Sequence, residues 1–256
     1  MKNFRPRSRP KKSSLIVGRT AIKEAVESGQ AIEKIYLQQN IVENQLNEIV
    51  AVAHKYKIPI NRVPEAKLNS FNVSPHDGCI AVISKIQYYD LQAIISFVVE
   101  NGRVPLFLIL DGITDIRNIG AIARTAYCTG VHAIIIPDKG VGALNEDAIL
   151  TSAGALEKIA VCRVVSLMKA VDELHANGVK VFASEMTAER NVFDLNLREP
   201  SAIVLGSEEK GIYPALMKIC DEQFKIPMIT EFESLNVSVA AGMILYETMK
   251  QRGFHD

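Results

Sequence analysis

The stretch "PLFLILDGITDIRNIGAIARTAYCTG", residues 105–130, decides the fold class. Its first part is a continuous apolar run bounded by Pro105 and Gly112. A strand without polar alternation is one buried on both faces, as in parallel sheets covered by helices on each side. Its second part changes to the helical period, with Ile119, Ile122 and Ala126 available to a core. A buried strand feeding such a helix is half of a βαβ unit.

The same alternation continues downstream. Strands are predicted at "HAIIIPD" (132–138), "VCRVV" (161–165), "VKVFAS" (179–184) and "AIVLGS" (202–207), with a short one at "FKIPM" (224–228). Helices are predicted between them at "NEDAILTSAGALEKI", "LMKAVDELHANG" and "PALMKICD", and a last one from "VSVAAGMILYETM". Alternating β and α elements specify a mostly parallel sheet. Upstream, "LIVGRTAIKEAVESG" (15–29) puts Ala21, Ile22, Ala25 and Val26 on one helical face, with Gly29 as its stop. "ENQLNEIVAVAHKYK" (43–57) repeats Leu46, Ile49, Val50 and Ala53 as an amphipathic helix. "IEKIYLQQ", "IPINRV" and "GCIAVIS" read as strands, with a short helix around "EAKLNSF". The pattern divides the chain into a tail (1–14), a small α/β unit (15–84), a linker with a connecting helix (85–103) and a larger α/β domain (104–256).

Composition narrows the function. No apolar run approaches the roughly 20 residues of a membrane span, and the basic N-terminus lacks a signal-peptide core, so a cytoplasmic protein is expected. The four cysteines and five histidines are scattered without metal-ligand spacing, so no metal site is expected. Net charge is zero but uneven: residues 1–90 hold 14 Lys+Arg against 8 Asp+Glu (+6), and residues 91–256 hold 15 against 21 (−6). The first fourteen residues carry six cations and no acid. Such a segment cannot bury a core and is expected to be disordered, serving as a nucleic-acid-binding arm or as a solubilising tail.

Ligands of an open α/β sheet bind beyond the carboxyl ends of its strands, and three segments qualify. In "LDGITDIRNIGAIARTAYC", Asp111, Asp115, Arg117 and Asn118 follow the strand, and Arg124 lies on the helix. Arginine suits phosphate or carboxylate, although alone it is more often a surface ion-pair partner. In "IVLGSEEKGI", Gly206 and Gly211 bracket Ser207 to Lys210. The GxxxxG spacing is that of a P-loop, but Ile212 and Tyr213 replace the required Lys-Ser/Thr. In "KIPMITEFESLNVSVAAG", Ser234 and Asn236 stand at the mouth of the last helix, where an N-cap needs only one such residue.

Taken together and in order, these segments resemble the three motifs of the SpoU-type (TrmH-like) RNA ribose 2′-O-methyltransferases of the SPOUT superfamily. Asn118 and Arg124 match the first motif, Gly206 and Glu208 the second, and Ile226, Pro227, Met228, Ser234, Leu235, Asn236, Val237 and Ser238 the third; "SAGA" at Ser152–Ala155 also matches. The resemblance extends upstream, where "VGRTAIKEAVESGQAIEKIYL" and "HDGCIAVIS" are similar to the family's N-terminal substrate-binding domain, an L30e-like α/β fold. It implies a methyltransferase domain with a trefoil knot, S-adenosyl-L-methionine as cofactor, RNA as partner and a homodimer. It implies catalytic roles for Arg124, Asn118, Glu208, Ser234 and Asn236, and cofactor contacts for Gly206, Ile226, Met228 and Leu235. The two-domain layout favours a guanosine of 23S rRNA as target. A tRNA enzyme of the same chemistry and a non-enzymatic RNA-binding assembly protein are the alternatives. The arginine matching Arg124 is the family's suggested general base; a side chain so persistently protonated suits a phosphate-holding, alkoxide-stabilising cation better, and both roles stay open. One departure stands out: the family's "DPxN" is here "DIRN", and loss of proline frees φ at Ile116, which predicts a looser loop or one that turns Arg117 to RNA.

Overall fold

The computed structural model describes residues 14–39, 46–142, 144–230 and 234–253. The basic tail and the first residues of the helix read over 43–57 lie outside them. The chain forms two compact units, Met1–Ser84 and Lys85–Asp256.

The first unit runs β1 (Leu15–Val17), α1 (Arg19–Glu27), β2 (Ile32–Gln38), α2 (Asn47–Lys55), β3 (Ile60–Val63), α3 (Glu65–Asn69) and β4 (Cys79–Ile83). Its sheet order is β1-β4-β2-β3, antiparallel except for the β2/β3 pair. Ile22 and Val26 of α1, Ile49 and Ala53 of α2, and Ile35 and Leu37 of β2 share one core. The helix read from residue 15 instead begins at Arg19. Leu15–Val17 is β-branched enough to pair with β4, and Gly18, at φ 89°, turns the chain into α1.

The second unit runs β5 (Tyr88–Tyr89), α4 (Leu91–Glu100), β6 (Leu106–Asp111), α5 (Ile116–Cys128), β7 (Ala133–Pro137), α6 (Glu146–Thr151), β8 (Ala160–Val164), α7 (Leu167–Ala176), β9 (Lys180–Ser184), β10 (Arg190–Asn191), β11 (Ser201–Gly206), α8 (Pro214–Met217), β12 (Glu222–Lys225) and α9 (Val237–Arg252). Its sheet order is β10-β12-β9-β11-β6-β7-β8-β5, with every pairing parallel. The double burial of β6 is explicit. Leu106, Leu108 and Leu110 join one core with α5 and α9, while Phe107 and Ile109 join the opposite core with α4 and α7. This is a three-layer α/β/α arrangement.

The helix expected within 85–103 is α4, and residues just before it join the sheet. Tyr88–Tyr89 extends the sheet beside β8, and Leu91 and Ile95 enter the α4/α7 core. The helix expected over 145–159 ends at Thr151, because Ala153 (φ 51°) and Gly154 (φ 82°) take the left-handed conformation before a 3-10 turn at Ala155–Glu157. That break serves packing. Ser152 is fully buried and bonds Ile149 O and Leu156 N. Gly120 of α5 lies so close that a Cβ there would sit 2.7 Å from Thr151 Cβ. Among the described residues, no helix is long and apolar enough to cross a membrane, and no group of His, Cys, Asp and Glu is placed to hold a metal ion.

The chain leaves β6 outward through β7 and β8, then crosses to β9 on the far side, and β11 later fills the gap between β9 and β6. That reversal opens a crevice at the carboxyl ends of β6, β11, β9 and β12.

Candidate active site

Each strand end at the crevice carries a tightly held loop. After β6, Gly112 turns at φ 67°, and Asp115 caps α5 by accepting from Arg117 N–H at 2.8 Å. Ile116 is therefore the first helical residue, the position where proline is accommodated in any helix. Its side chain packs on the core between sheet and α5. The departure from "DPxN" thus leaves an ordinary helix start. Arg117 folds back on Asp115 (Nη2 to Oδ2, 2.9 Å) while staying 83% exposed, and that hydrogen bond holds the Asp115 carboxyl below its ordinary range.

After β11, Ser207 and Gly211 exchange backbone hydrogen bonds (3.2 and 2.8 Å), closing a five-residue turn over Ser207–Gly211. Ser207 Oγ accepts from Lys210 N–H. Gly206 is obligatory for this closure, because a Cβ there would lie 2.2 Å from the Gly211 carbonyl carbon and 2.4 Å from Ile212 N. Beyond the turn, Tyr213 N–H donates to Asp111 Oδ2 at 2.7 Å, fastening the loop back to β6.

The third segment meets the other two at one carboxylate oxygen. Glu208 Oε1 accepts from Asn236 Nδ2 (2.8 Å), Asn118 Nδ2 (3.3 Å) and Val237 N–H (3.2 Å). Asn236 Nδ2 also donates to Asn118 Oδ1 (3.1 Å), and Asn236 Oδ1 caps α9 by accepting from Ser238 N–H (3.0 Å). A carboxylate at a helix N-terminus complements the helix dipole, so Glu208 supplies charge where Asn236 supplies the cap. Three segments separated by up to 118 residues are thereby joined.

Two cavities flank this junction. One, of about 360 Å³, is lined by Gly206, Ile226, Ser234 and Leu235 together with Ser184, Glu185, Met186 and Lys225. Its partly apolar wall with a few polar groups is the usual make-up of a small-molecule pocket. The other, of about 760 Å³, is lined from the β6 loop by Asp111, Asp115 and Asn118 and from the β11 loop by Glu209, Lys210 and Tyr213. Ser207, Glu208, Gly211 and Val237 line both cavities and form the wall between them.

Of the sequence-predicted residues, the structure brings together Asn118, Glu208 and Asn236 at the junction, and Gly206, Ile226, Leu235 and Ser234 around the smaller cavity. Met228 stands outside the lining of that cavity. Arg124 is exposed on α5, outside the lining of both cavities, and makes no hydrogen bond or ion pair with the described residues. Sequence reasoning placed Asp111 and Ser207 in the candidate segments without seeing them as loop fasteners, and met Tyr213 only as a departure from a P-loop. Their signal was positional: polar and aromatic residues immediately past a buried strand.

The family model for the SpoU rRNA methylase family matches residues 105–246, and that for RNA 2′-O ribose methyltransferase substrate binding matches residues 15–89. A Staphylococcus aureus protein named for the TrmH family of tRNA/rRNA methyltransferases is 38% identical over 243 residues, covering 95% of this chain and 97% of its own. A Staphylococcus saprophyticus protein named for the same family is 36% identical over 240 residues, covering 94% and 96%. The fold is shared with the SpoU methyltransferase AviRb of Streptomyces viridochromogenes in complex with AdoMet (TM-score 0.59, 24% identity, 94% of this chain and 91% of that one). The A. aeolicus TrmH/SpoU tRNA modifying enzyme aligns with 63% of this chain and 84% of its own (TM-score 0.52, 27% identity).

Proposed function

The chain belongs to the SpoU rRNA methylase family, and on that premise we propose that it transfers the methyl group of S-adenosyl-L-methionine to the 2′-oxygen of an RNA ribose, with a guanosine of 23S rRNA as the target. The observation that carries this is the Asn118–Glu208–Asn236 junction. Its Glu208 belongs to the wall shared by a cavity sized for a small cofactor and a larger one that would receive the RNA acceptor. The smaller cavity suits the cofactor: Ile226 and Leu235 offer apolar surface for adenine, and Gly206 keeps the β11 loop tight enough to leave room beside it. When bound, the cofactor supplies an electrophilic methyl carbon on a sulfonium. The chain's own part is to hold donor and acceptor in line. Glu208 and Asn236 fix the wall, and Ser234 orients what lies against it. The segment leading into α9 is the piece proposed to thread the knot.

Arg124 needs a second copy of the chain. On α9, Val239, Met243 and Tyr246 form an exposed apolar stripe. Gly242 lies among them, and a Cβ there would meet nothing within 4 Å of the chain. A glycine inside a helix costs about 1 kcal/mol relative to alanine, and nothing among the described residues requires this one. Both features support a homodimer packed through α9, and Arg124, which bonds to none of the described residues of its own chain, then serves the partner's site. There it holds the phosphate beside the target ribose and stabilises the developing alkoxide. Mixing inactive Arg124→Ala with inactive Glu208→Ala protein should restore about a quarter of the wild-type sites if roles are shared across a two-fold dimer. No recovery would return Arg124 to its own chain or remove it from catalysis.

The first unit and the basic N-terminal half support an RNA substrate, met in the cytoplasm. The tRNA modifying enzyme above aligns with about two thirds of this chain, and this chain carries a substrate-binding match over residues 15–89. This favours rRNA over tRNA. Mapping 2′-O-methyl positions in total RNA with and without the protein tests the reading. A position in 23S rRNA should lose its methyl group; a loss confined to tRNA would replace the target, and no loss anywhere would overturn the activity.

A further inference from the structure

We propose that Tyr213 is the platform on which the acceptor nucleobase stacks while its ribose is methylated, a reading that rests on the RNA methyl-transfer function above. The wall of Ser207, Glu208, Gly211 and Val237 separates the two cavities. An acceptor whose 2′-oxygen reaches the methyl donor across that wall therefore has its base in the larger cavity. Tyr213 lines that cavity and is 62% exposed. Its hydroxyl bonds to none of the described residues, so the ring is not held there for a structural hydrogen bond.

The backbone beneath the ring is rigid. Asp111 Oδ2 takes the Tyr213 N–H at 2.7 Å, and Pro214 starts α8 immediately after it. A side chain carried on a backbone fixed in this way has less freedom to lose when a base lies on it. The electrostatics of the cavity point to a base rather than a phosphate. Asp111, Asp115, Glu208 and Glu209 face it against the single cation Lys210. Carboxylates accept hydrogen bonds and repel phosphate oxygens. Glu208 and Asp115 already have donors in the chain, while Glu209 bonds to none of the described residues and is free to accept from N–H groups on a base edge. Nucleobases carrying such donors are the ligand class that fits an aromatic face beside a free carboxylate.

The test measures methyl incorporation into total RNA from cells lacking the protein, with labelled S-adenosylmethionine and RNA below saturation. Tyr213→Ala should lower kcat/KM for RNA about tenfold, the scale of one lost base–aromatic stack. S-adenosylmethionine binding measured by calorimetry should be unchanged. Tyr213→Phe keeps the ring and should recover most of the loss. The chain has no Trp, so tyrosine emission is readable directly, and RNA should quench it more in the wild type than in Tyr213→Ala. Unchanged kcat/KM in Tyr213→Ala would overturn the proposal, as would a Tyr213→Phe variant as impaired as the alanine. Weakened cofactor binding in Tyr213→Ala would assign the residue to the loop's structure instead. A wild type that methylates none of this RNA would overturn the underlying function, and the stacking role with it.

Discussion

At its N-terminal end α9 is held by side chains; at its C-terminal end it holds backbone. The first end gathers Asn118, Glu208 and Asn236 around one carboxylate oxygen. At the second, the Arg252 guanidinium donates to four carbonyl oxygens: Val104 and Leu197 (2.8 Å each), Glu199 (2.8 Å) and Pro105 (3.0 Å). Burial pushes Arg252 down to about 10, still charged at neutral pH. Both ends obey helix electrostatics, with an anion at the amino end and a cation at the carboxyl end. They differ in what they leave open. The carboxylate junction faces two cavities, while the arginine spends its donors on the chain and lines neither of them. One helix therefore has an end that we propose is functional and an end that is structural, and substitutions at the two should fail in different ways.

The largest effect is expected at Gly206, which touches both function and fold. Its Cβ would enter the Gly211–Ile212 backbone, so Gly206→Ala must push the β11 loop outward. We expect a stability loss of about 3 kcal/mol, at the upper end of overpacking costs, together with loss of S-adenosylmethionine binding by calorimetry. Unaltered cofactor binding would mean that the loop's tightness is irrelevant to the smaller cavity.

Glu208→Ala separates the two ends more cleanly. It leaves α9 without its N-terminal carboxylate, worth about 1 kcal/mol, and it lets Asn118 and Asn236 drift. A misplacement on the scale of 1 Å can cost about a hundredfold in rate, so single-turnover methyl transfer should fall by about that factor while thermal unfolding barely moves. A variant that unfolds early but, where folded, turns over normally would make this end as structural as the other.

Arg252→Met is the counterpart. Four carbonyls lose a charged donor, and we expect about 2–3 kcal/mol off the denaturant-unfolding free energy, within the range for hydrogen bonds to charged groups. Activity per folded molecule should be unchanged. A drop in kcat with stability intact would erase the distinction between the ends.

The contrast also explains what was legible in the sequence. The buried strand at 106–110 and the helices after it could be read because apolar period survives folding unchanged. Asn118, Glu208 and Asn236 could be read because they fall at the positions of a motif set that the chain resembles. Arg252 bonds only to carbonyls, which every residue carries, so nothing in "MKQRGF" marks it. Tyr88–Tyr89 and Arg190–Asn191 are two-residue edge strands, too short for any period. Lys85–Asp90 read as a linker because a strand as short as Tyr88–Tyr89 looks like a turn until its neighbour is in place. Arg124 was read from its motif, but its distance from its own chain's cavities depends on packing that the motif does not encode.

The smallest effect separates the ends by pH, through His132. Its Nδ1 accepts from Leu106 N–H at 3.1 Å, and its own backbone N–H donates to Leu106 O at 2.9 Å. A ring nitrogen that accepts cannot also carry a proton, so charging the ring breaks the first bond. Burial lowers the His132 pKa below its ordinary 6.5, and the charges of Arg252 and Arg103 lower it further. The folded state therefore favours neutral His132. The stability this contributes is present above pH 6.5 and is lost as pH falls through the folded pKa, with a slope of at most about 1.4 kcal/mol per pH unit for one proton. His132→Asn keeps an acceptor for Leu106 N–H without a titrating group. Urea unfolding of both proteins between pH 7.5 and 5 should give curves that run parallel above 6.5 and diverge below it, the wild type falling faster. In the Arg252→Met background a neighbouring positive charge is gone, so the divergence should still begin near pH 6.5 but level off at higher pH and be smaller. Divergence of equal size in both backgrounds would show that His132 is not coupled to this end of the helix.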